Sequence, residues 1–170
     1  MSPGELSGPD LGGVVADAAK AGLPCVVIGG FSVIANGYVR ATEDSDLLVP
    51  DGPEADAAIG RFLDESGARR LRDDKRLTAR EIADADHLRV LTRHGIVDVL
   101  RGGKPPLDYE TVAERAFEVE LGGHVTRVAS LRSVVGFKRL ADRPRDRSDL
   151  EELKALHGEL PTDPIPGLDD

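Results

Sequence analysis

The chain has 170 residues, of which 40% are hydrophobic, so it is long enough for one domain with an ordinary core. The formal net charge is −9 and there is a single cysteine, which excludes a framework of intramolecular disulfides. The sequence opens without a basic, apolar leader and holds no apolar run of membrane-spanning length, so we expect a cytoplasmic protein that does not contact a membrane.

The first third of the chain predicts alternating helices and strands. Residues 1–9 are rich in Gly, Pro and Ser and predict a flexible N-terminus. Apolar residues then recur at helical spacing from Leu11 to Ala19, and Gly22 and Pro24 end that helix. The elements expected next are a strand over 25–28, a short helix over 30–37, a strand over 46–49 and an amphipathic helix over 53–66.

The remaining two thirds predict hairpins followed by helices. We expect a strand near 68–72, a mobile loop over 73–80, a hairpin of 87–92 with 96–100, a helix over 108–116, a small hairpin of 117–119 with 124–128, helices over 131–142 and 146–157, and a disordered tail over 161–170. This order predicts an α/β (α+β) fold, with a mixed sheet flanked by helices and with C-terminal helices. Residues 10–129 would form its core, and 130–160 a helical segment of the same domain.

Charge is distributed unevenly along the chain. Residues 1–60 carry a net −7, residues 61–147 a net +4, and residues 148–170 a net −6. The middle segment is compatible with a basic face for a polyanion, or with an arginine-rich surface of mixed charge.

A glycine pair stands where the first strand gives way to a helix. Gly29-Gly30 follows the apolar run Val26–Ile28. The first turn of a helix exposes N–H groups without intrahelical acceptors, and glycine allows close approach to the backbone, so the pair suits a phosphate. An ordinary turn is the alternative reading.

Three aspartates follow on two predicted strands. Asp44 and Asp46 are spaced i, i+2, which places both side chains on one face of a strand. Asp98 lies in the apolar strand 96–100, where an unpaired carboxylate is costly unless its face is wet or holds a metal. Together they predict a Mg²⁺ site beside the phosphate site. Taken singly, each acid is also compatible with a solvated strand end or an edge strand.

This series of motifs resembles the nucleotidyltransferase superfamily with the DNA polymerase β-like fold. The string GGFSVIANGYVRATEDSDLLV further resembles the branch of AbiEii-type and MenT-type bacterial nucleotidyltransferase toxins, as does Lys138 followed by Arg143, Pro144, Asp146 and Asp149. Two positions depart from the pattern: Ser45 stands where an apolar residue is usual, and Phe31 where Ser or Thr is usual. Ser45 would leave a buried hydroxyl in need of a partner.

The resemblance implies a mixed sheet of about five strands, Mg²⁺ (or Mn²⁺) as cofactor and NTP as substrate. It assigns metal binding and catalysis to Asp44, Asp46 and Asp98, and catalysis and triphosphate contact to Lys138. Nucleotide binding falls to Gly29, Gly30, Ser32, Arg40 and Lys138. Ser32 is equally compatible with packing in a short helix, Arg40 with support of its loop, and Arg143, Asp146 and Asp149 with a salt-bridged helix cap.

Two kinds of function remain open. The first is an enzyme that transfers NMP from NTP to a hydroxyl acceptor and releases pyrophosphate. Its acceptor would be the 3′ end of tRNA or another RNA if the chain is a toxin with a cognate antitoxin protein, and otherwise an aminoglycoside-like small molecule or a protein side chain. The second is a nucleotide-binding or regulatory module with little or no turnover.

Overall fold

The computed structural model describes residues 8–170, and its strands form one mixed sheet. In chain order they are β1 (Val26–Ile28), β2 (Asp44–Leu48), β3 (Arg69–Arg70), β4 (His87–Thr92), β5 (Gly95–Leu100), β6 (Phe117–Leu121) and β7 (His124–Val128). Across the sheet the order is β3-β4-β5-β2-β1-β7-β6. β2 runs parallel to β5 and β1 parallel to β7, and the other neighbours are antiparallel.

Helices lie before, between and after these strands, and several begin at a side-chain cap. They are α1 (Leu11–Ala21), α2 (Gly29–Ala35), α3 (Pro53–Glu65), α4 (Ala79–Asp84), α5 (Tyr109–Arg115), α6 (Leu131–Ala141) and α7 (Pro144–His157). The Asp10 side chain accepts from Gly13 N at the start of α1, and the Ser130 side chain accepts from Ser133 N at the start of α6. Within residues 8–170, every helix is too short or too polar to cross a bilayer.

Apolar side chains cover both faces of the sheet. On one face, α1, α3 and α4 contribute Val14, Phe62 and Ile82 to a core that includes Leu47 and Val97. On the other face, α2, α5, α6 and α7 pack around β1; their buried side chains there include Val33, Val112, Val134 and Leu153. The amphipathic helix predicted over 53–66 is confirmed by α3, which buries one side: Ala55, Ala58, Ile59, Phe62 and Leu63.

The second face is open over β2, β5 and β4, and this opening positions the candidate site. Side chains alternate between faces along a strand, so Asp44 and Asp46 lie on the face of Leu48, away from Leu47. β4 alternates in the same way: Leu88, Val90 and Thr92 are buried, and His87, Arg89 and Leu91 are exposed. Polar side chains of the three strands therefore border a cleft between the sheet and α6.

The sheet is wider than the roughly five strands that the resemblance implied. The hairpin of β6 and β7 extends one edge of the sheet, because β7 pairs with β1. The two-residue β3 extends the opposite edge, where it pairs with β4. The predicted loop over 73–80 also ends early, because α4 begins at Ala79. Thr78 and Glu81 form a capping box there, with each side chain accepting from the other residue's backbone N–H.

Residues 161–170, for which the sequence predicts a disordered tail, lie against the helices in this structure. Ile165 is buried, and its Cδ1 lies 3.4 Å from the position of a Cβ built on Gly136 of α6. Asp163 accepts from Arg115 and Arg132, and Asp169 from Arg139. The three prolines of the segment exclude regular structure, but they do not prevent it from packing. Most of the predicted flexible N-terminus, residues 1–9, lies outside the described residues.

Candidate active site

The structure brings together the three aspartates on which the metal-site prediction depends. The parallel register of β2 and β5 pairs Asp46 with Asp98, and Asp44 lies one pleat away on the same face. One carboxylate oxygen from each of the three residues lies within 4.8 Å of the other two. We call Asp44, Asp46 and Asp98 the carboxylate triad.

The environment of the triad disfavours three bare negative charges. Burial of Asp46, together with the charges of Asp44 and Asp98, raises the pKa of its carboxyl from 3.8 to about 8. Asp98 is only 3% exposed, but it has two partners on β4. His87 Nε2 lies 2.6 Å from its Oδ1, and Arg89 Nη1 donates to its Oδ2 at 2.6 Å. Arg89 Nη1 also donates to Asp44 Oδ2 at 3.0 Å.

Gly29 and Gly30 begin α2 directly beside the triad. Gly29 has a φ of 68°, and a Cβ built on it would overlap the carboxylate of Asp46. A Cβ on Gly30 would lie 2.8 Å from Thr42 Cβ. No side chain caps this helix start at Ile28, so its first N–H groups depend on solvent or a ligand. The glycine pair thus has a structural reason that the sequence did not reveal: it admits the side chains of Asp46 and Thr42.

Ser32 and Arg40 border the cleft, and each has a protein partner. Ser32 is buried, and its hydroxyl donates to Gly29 O at 2.6 Å, as packing within a short helix would require. Arg40 donates from Nε and Nη2 to the two carboxylate oxygens of Asp149, both at 2.8 Å. Both side chains line the cleft, and the Arg40 guanidinium is held by a bidentate ion pair.

Lys138 lies in an ion-pair network between α6 and α7. Its Nζ is 3.0 Å from Asp146 Oδ1 and 3.0 Å from Asp149 Oδ2. Burial opposes ionisation of Asp146, but hydrogen bonds from Arg143 and Lys138 lower its pKa to about 2. Asp146 also accepts from Arg143 N, which closes the salt-bridged cap considered for this string. We call Arg40, Lys138, Arg143, Asp146 and Asp149 the α6–α7 network.

The cleft between the triad and the network has a volume of about 500 Å³. Its polar lining includes Gly29, Gly30, the triad and Lys138, and its apolar lining includes Ile28, Leu100, Val134 and Phe137. A second cavity, of about 510 Å³, lies over α4 and shares His87 and Arg89 with the cleft. Its two carboxylates are both paired with arginines, Glu81 with Arg70 and Asp84 with Arg80.

Sequence reasoning missed His87 and Arg89, although a signal for them exists. A two-residue turn at Arg93-His94 pairs Thr92 with Gly95, and counting outward along the hairpin places Arg89 opposite Asp98. A cationic residue opposite a buried acid predicts a cross-strand ion pair. The apolar runs predict the two strands of the hairpin, and the length of its turn is the additional signal that sets their register.

Comparison with protein-family models and with curated protein sequences finds no match. Two solved structures of the antibiotic-resistance factor ANT(2'')-Ia resemble the chain. Its solution structure matches with a TM-score of 0.56 over 85% of this chain and 80% of the other, at 16% identity. Its crystal structure in complex with adenylyl-2''-tobramycin matches with a TM-score of 0.57 over 85% of this chain and 86% of the other, also at 16% identity.

These likenesses bear on the fold. The mixed sheet flanked by helices is shared with ANT(2'')-Ia over most of both chains, which confirms the predicted fold class. Chemistry has to be argued from the site itself, because one fold can carry many activities.

Proposed function

We propose that the chain is a metal-dependent nucleotidyltransferase, which transfers NMP from an NTP to a hydroxyl acceptor and releases pyrophosphate. One observation carries the proposal: the carboxylate triad lies beside the uncapped helix start at Gly29-Gly30, in a cleft of about 500 Å³. The likeness to a structure that holds adenylyl-2''-tobramycin supports it.

The donor set of the triad fits Mg²⁺ or Mn²⁺. Asp44, Asp46 and Asp98 present hard carboxylate oxygens that converge within 4.8 Å. Burial and the charges of Asp44 and Asp98 raise the pKa of Asp46, and a bound cation would favour its ionised form. When bound, the metal would stabilise charge on the phosphates and polarise the attacking hydroxyl.

Binding of the triphosphate falls to the other side of the cleft. The first N–H groups of α2 at Gly29 and Gly30 would donate to phosphate oxygens. Lys138 and Arg40 line the same cleft, and their carboxylate partners on α7 hold them in place. Ser32 would act through Gly29, because its hydroxyl donates to that carbonyl.

Asp98 is the group placed to orient the acceptor hydroxyl or to receive its proton. The acceptor oxygen forms a bond to the α-phosphorus, the bond from that phosphorus to the β-phosphate oxygen breaks, and pyrophosphate carries away the electron pair. The contact of His87 Nε2 with Asp98 Oδ1 would hold the carboxylate in a fixed orientation during this step.

For the acceptor we favour an RNA 3′ end, with tRNA as the main candidate. The resemblance of 29–49 and 138–149 to the AbiEii-type and MenT-type toxins supports this, and a cognate antitoxin would then be the protein partner. The second cavity also supports it, since both of its carboxylates are already paired with arginines and offer little to a polycationic acceptor. Arg145 is exposed and lines the cleft, where it could meet a phosphate backbone.

A small-molecule acceptor is the second candidate, and the tobramycin adduct in the similar structure favours it. A nucleotide-binding module with little turnover is the third. The observation that favours this module is Ser45, whose buried hydroxyl has no hydrogen-bond partner among the described residues. Such a hydroxyl lowers the stability of the strand that carries Asp44 and Asp46.

Label transfer would separate the three candidates. Purified protein, Mg²⁺ and each α-labelled NTP in turn would be incubated with bacterial total RNA or with tobramycin. Asp44→Asn removes one triad carboxylate, and Asp51→Asn makes the same change at an exposed position just after β2. We expect label in a tRNA-sized band with the wild type and Asp51→Asn, and at least a hundredfold less with Asp44→Asn.

Each other result has a definite meaning. Label on tobramycin but not on RNA would replace the RNA acceptor with a small molecule. Label on neither, with NTP binding retained in calorimetry, would favour the non-enzymatic module. Equal transfer by wild type and Asp44→Asn would contradict the triad as the reaction centre.

A further inference from the structure

Arg89 occupies an unusual position for a side chain beside a metal site. A single nitrogen, Nη1, donates to Asp44 Oδ2 at 3.0 Å and to Asp98 Oδ2 at 2.6 Å, and so bridges two of the three triad carboxylates. The cross-strand register places Arg89 opposite Asp98, so the contact is built into the sheet. Guanidinium stays protonated at every physiological pH.

A metal ion on the triad would have to compete with this guanidinium. Mg²⁺ needs its oxygen ligands at about 2.0–2.1 Å in octahedral geometry. Arg89 already donates to one carboxylate oxygen of Asp44 and to one of Asp98. Two cations held within a few ångströms also repel each other strongly where water is partly excluded.

We propose that Arg89 is an internal counter-cation of the triad, which competes with the metal and thereby makes metal binding depend on the nucleotide. This inference rests on the proposed function. Arg89 neutralises Asp44 and Asp98 until a more highly charged cation replaces it.

The structure provides a place for the displaced side chain. The Arg89 side chain is 43% exposed, whereas that of Asp98 is 5% exposed, so the arginine can rotate while the aspartate stays. Arg89 also lines the second cavity, together with Glu81 and Asp84. A change of rotamer would move the guanidinium out of the triad into the open space of this cavity, and the backbone pairing of β4 with β5 would stay intact.

Coupling to the nucleotide follows from charge. A metal ion alone must displace Arg89 and gains only the three carboxylates. A metal that arrives with a triphosphate gains phosphate oxygens as well, and the added negative charge offsets the repulsion between the metal and the arginine. Each ligand therefore strengthens the binding of the other by the same factor.

The test is a Mn²⁺ titration of the protein, with and without a non-reactive NTP analogue. Calorimetry and electron paramagnetic resonance would both measure the binding. Arg89→Gln removes the bridging charge, and Arg72→Gln removes a charge from an exposed arginine that lines neither cavity. We expect Arg89→Gln to bind Mn²⁺ without nucleotide about tenfold tighter than the wild type, and the enhancement by nucleotide to shrink by the same factor. Arg72→Gln and the charge-preserving Arg89→Lys should behave as the wild type.

The outcomes separate this inference from the proposed function. If the wild type binds Mn²⁺ and Asp44→Asn does not, but Arg89→Gln binds it equally or more weakly, the counter-cation role is overturned and the metal site stands. If neither the wild type nor Arg89→Gln binds Mn²⁺ with or without nucleotide, both proposals fail. Should Arg89→Gln fold poorly, Arg89→Met retains more of the apolar stem and carries the same expectation.

Discussion

At the scale of single residues, the site depends on how closely α2 approaches β2. Gly29 has a φ in the left-handed region, and the carboxylate of Asp46 fills the space that a Cβ would need. Any larger residue would be strained in its backbone and would push Asp46 out of the triad. Phosphate binding and this packing requirement are compatible. A phosphate would accept from the backbone N–H groups, whereas the carboxylate of Asp46 occupies the space that a Cβ of Gly29 would need.

Gly29→Ala should therefore damage both stability and the site. We expect the free energy of unfolding to fall by about 1–3 kcal/mol, from backbone strain and overlap with Asp46, and Mn²⁺ binding to be lost. Gly60→Ala is the matched control, since α3 is helical there and the nearest atom to a built Cβ lies 4.0 Å away. That control should gain about 0.5–1 kcal/mol. Urea unfolding measures both, and equal effects of the two substitutions would contradict the packing argument.

At the scale of elements, the first two turns of α7 hold cationic side chains that line the cleft. Asp146 and Asp149 are 0% and 1% exposed, and they hold Lys138, Arg40 and Arg143. The three cations come from α6, from the loop before β2 and from the cap of α7, so the network joins segments that are distant in sequence. Substitution of one charged residue of the network would leave its buried partner without an opposite charge, which lowers the stability of the protein.

Asp149→Asn should expose this coupling. Lys138 and Arg40 would each lose an ionic partner, and we expect the protein to lose about 3 kcal/mol or more of stability and to bind NTP less tightly. Asp142→Asn removes a carboxylate from the exposed Arg147–Asp142 pair, and it should cost less than about 1 kcal/mol. Thermal unfolding and calorimetric NTP titration would measure the difference. Similar losses in both variants would show that the network is no more important than a surface pair.

At the scale of the whole molecule, the last ten residues fasten α6 to α5. Asp163 accepts hydrogen bonds from Arg115 of α5 and Arg132 of α6, and Ile165 packs near Gly136 and Leu107. α6 also carries Lys138, so the segment supports the wall of the cleft from behind.

Ile165→Ala tests this support. Truncating a buried isoleucine should lower the free energy of unfolding by about 2–4 kcal/mol. Leu168 lies in the same segment but is 43% exposed, so Leu168→Ala should stay within about 0.5 kcal/mol of the wild type. Urea denaturation of both variants would measure this, and an unchanged Ile165→Ala would mean that the segment detaches readily.

The parts of the site that could be predicted share one property: their geometry is local. The spacing of Asp44 and Asp46 places both on one face of β2 whatever surrounds it, because side chains alternate along a strand. The buried hydroxyl of Ser45 follows from the same alternation, and its lack of a partner among the described residues confirms that expectation. The register of Arg89 with Asp98 was equally predictable, since a two-residue turn sets it.

Local patterns along the chain are sufficient to predict the main elements, the shared face of Asp44 and Asp46, and the kind of chemistry that carboxylates beside a glycine turn can perform. Three other features depend on contacts between distant segments: the parallel pairing of β2 with β5 that sets Asp46 level with Asp98, the ion pair of Asp149 with Arg40 across more than a hundred residues, and the packing of Ile165 on α6. Periodicity and turn chemistry act over a few residues and can be read from them. Pairing between distant segments depends on which apolar surfaces fit together once the whole sheet has formed.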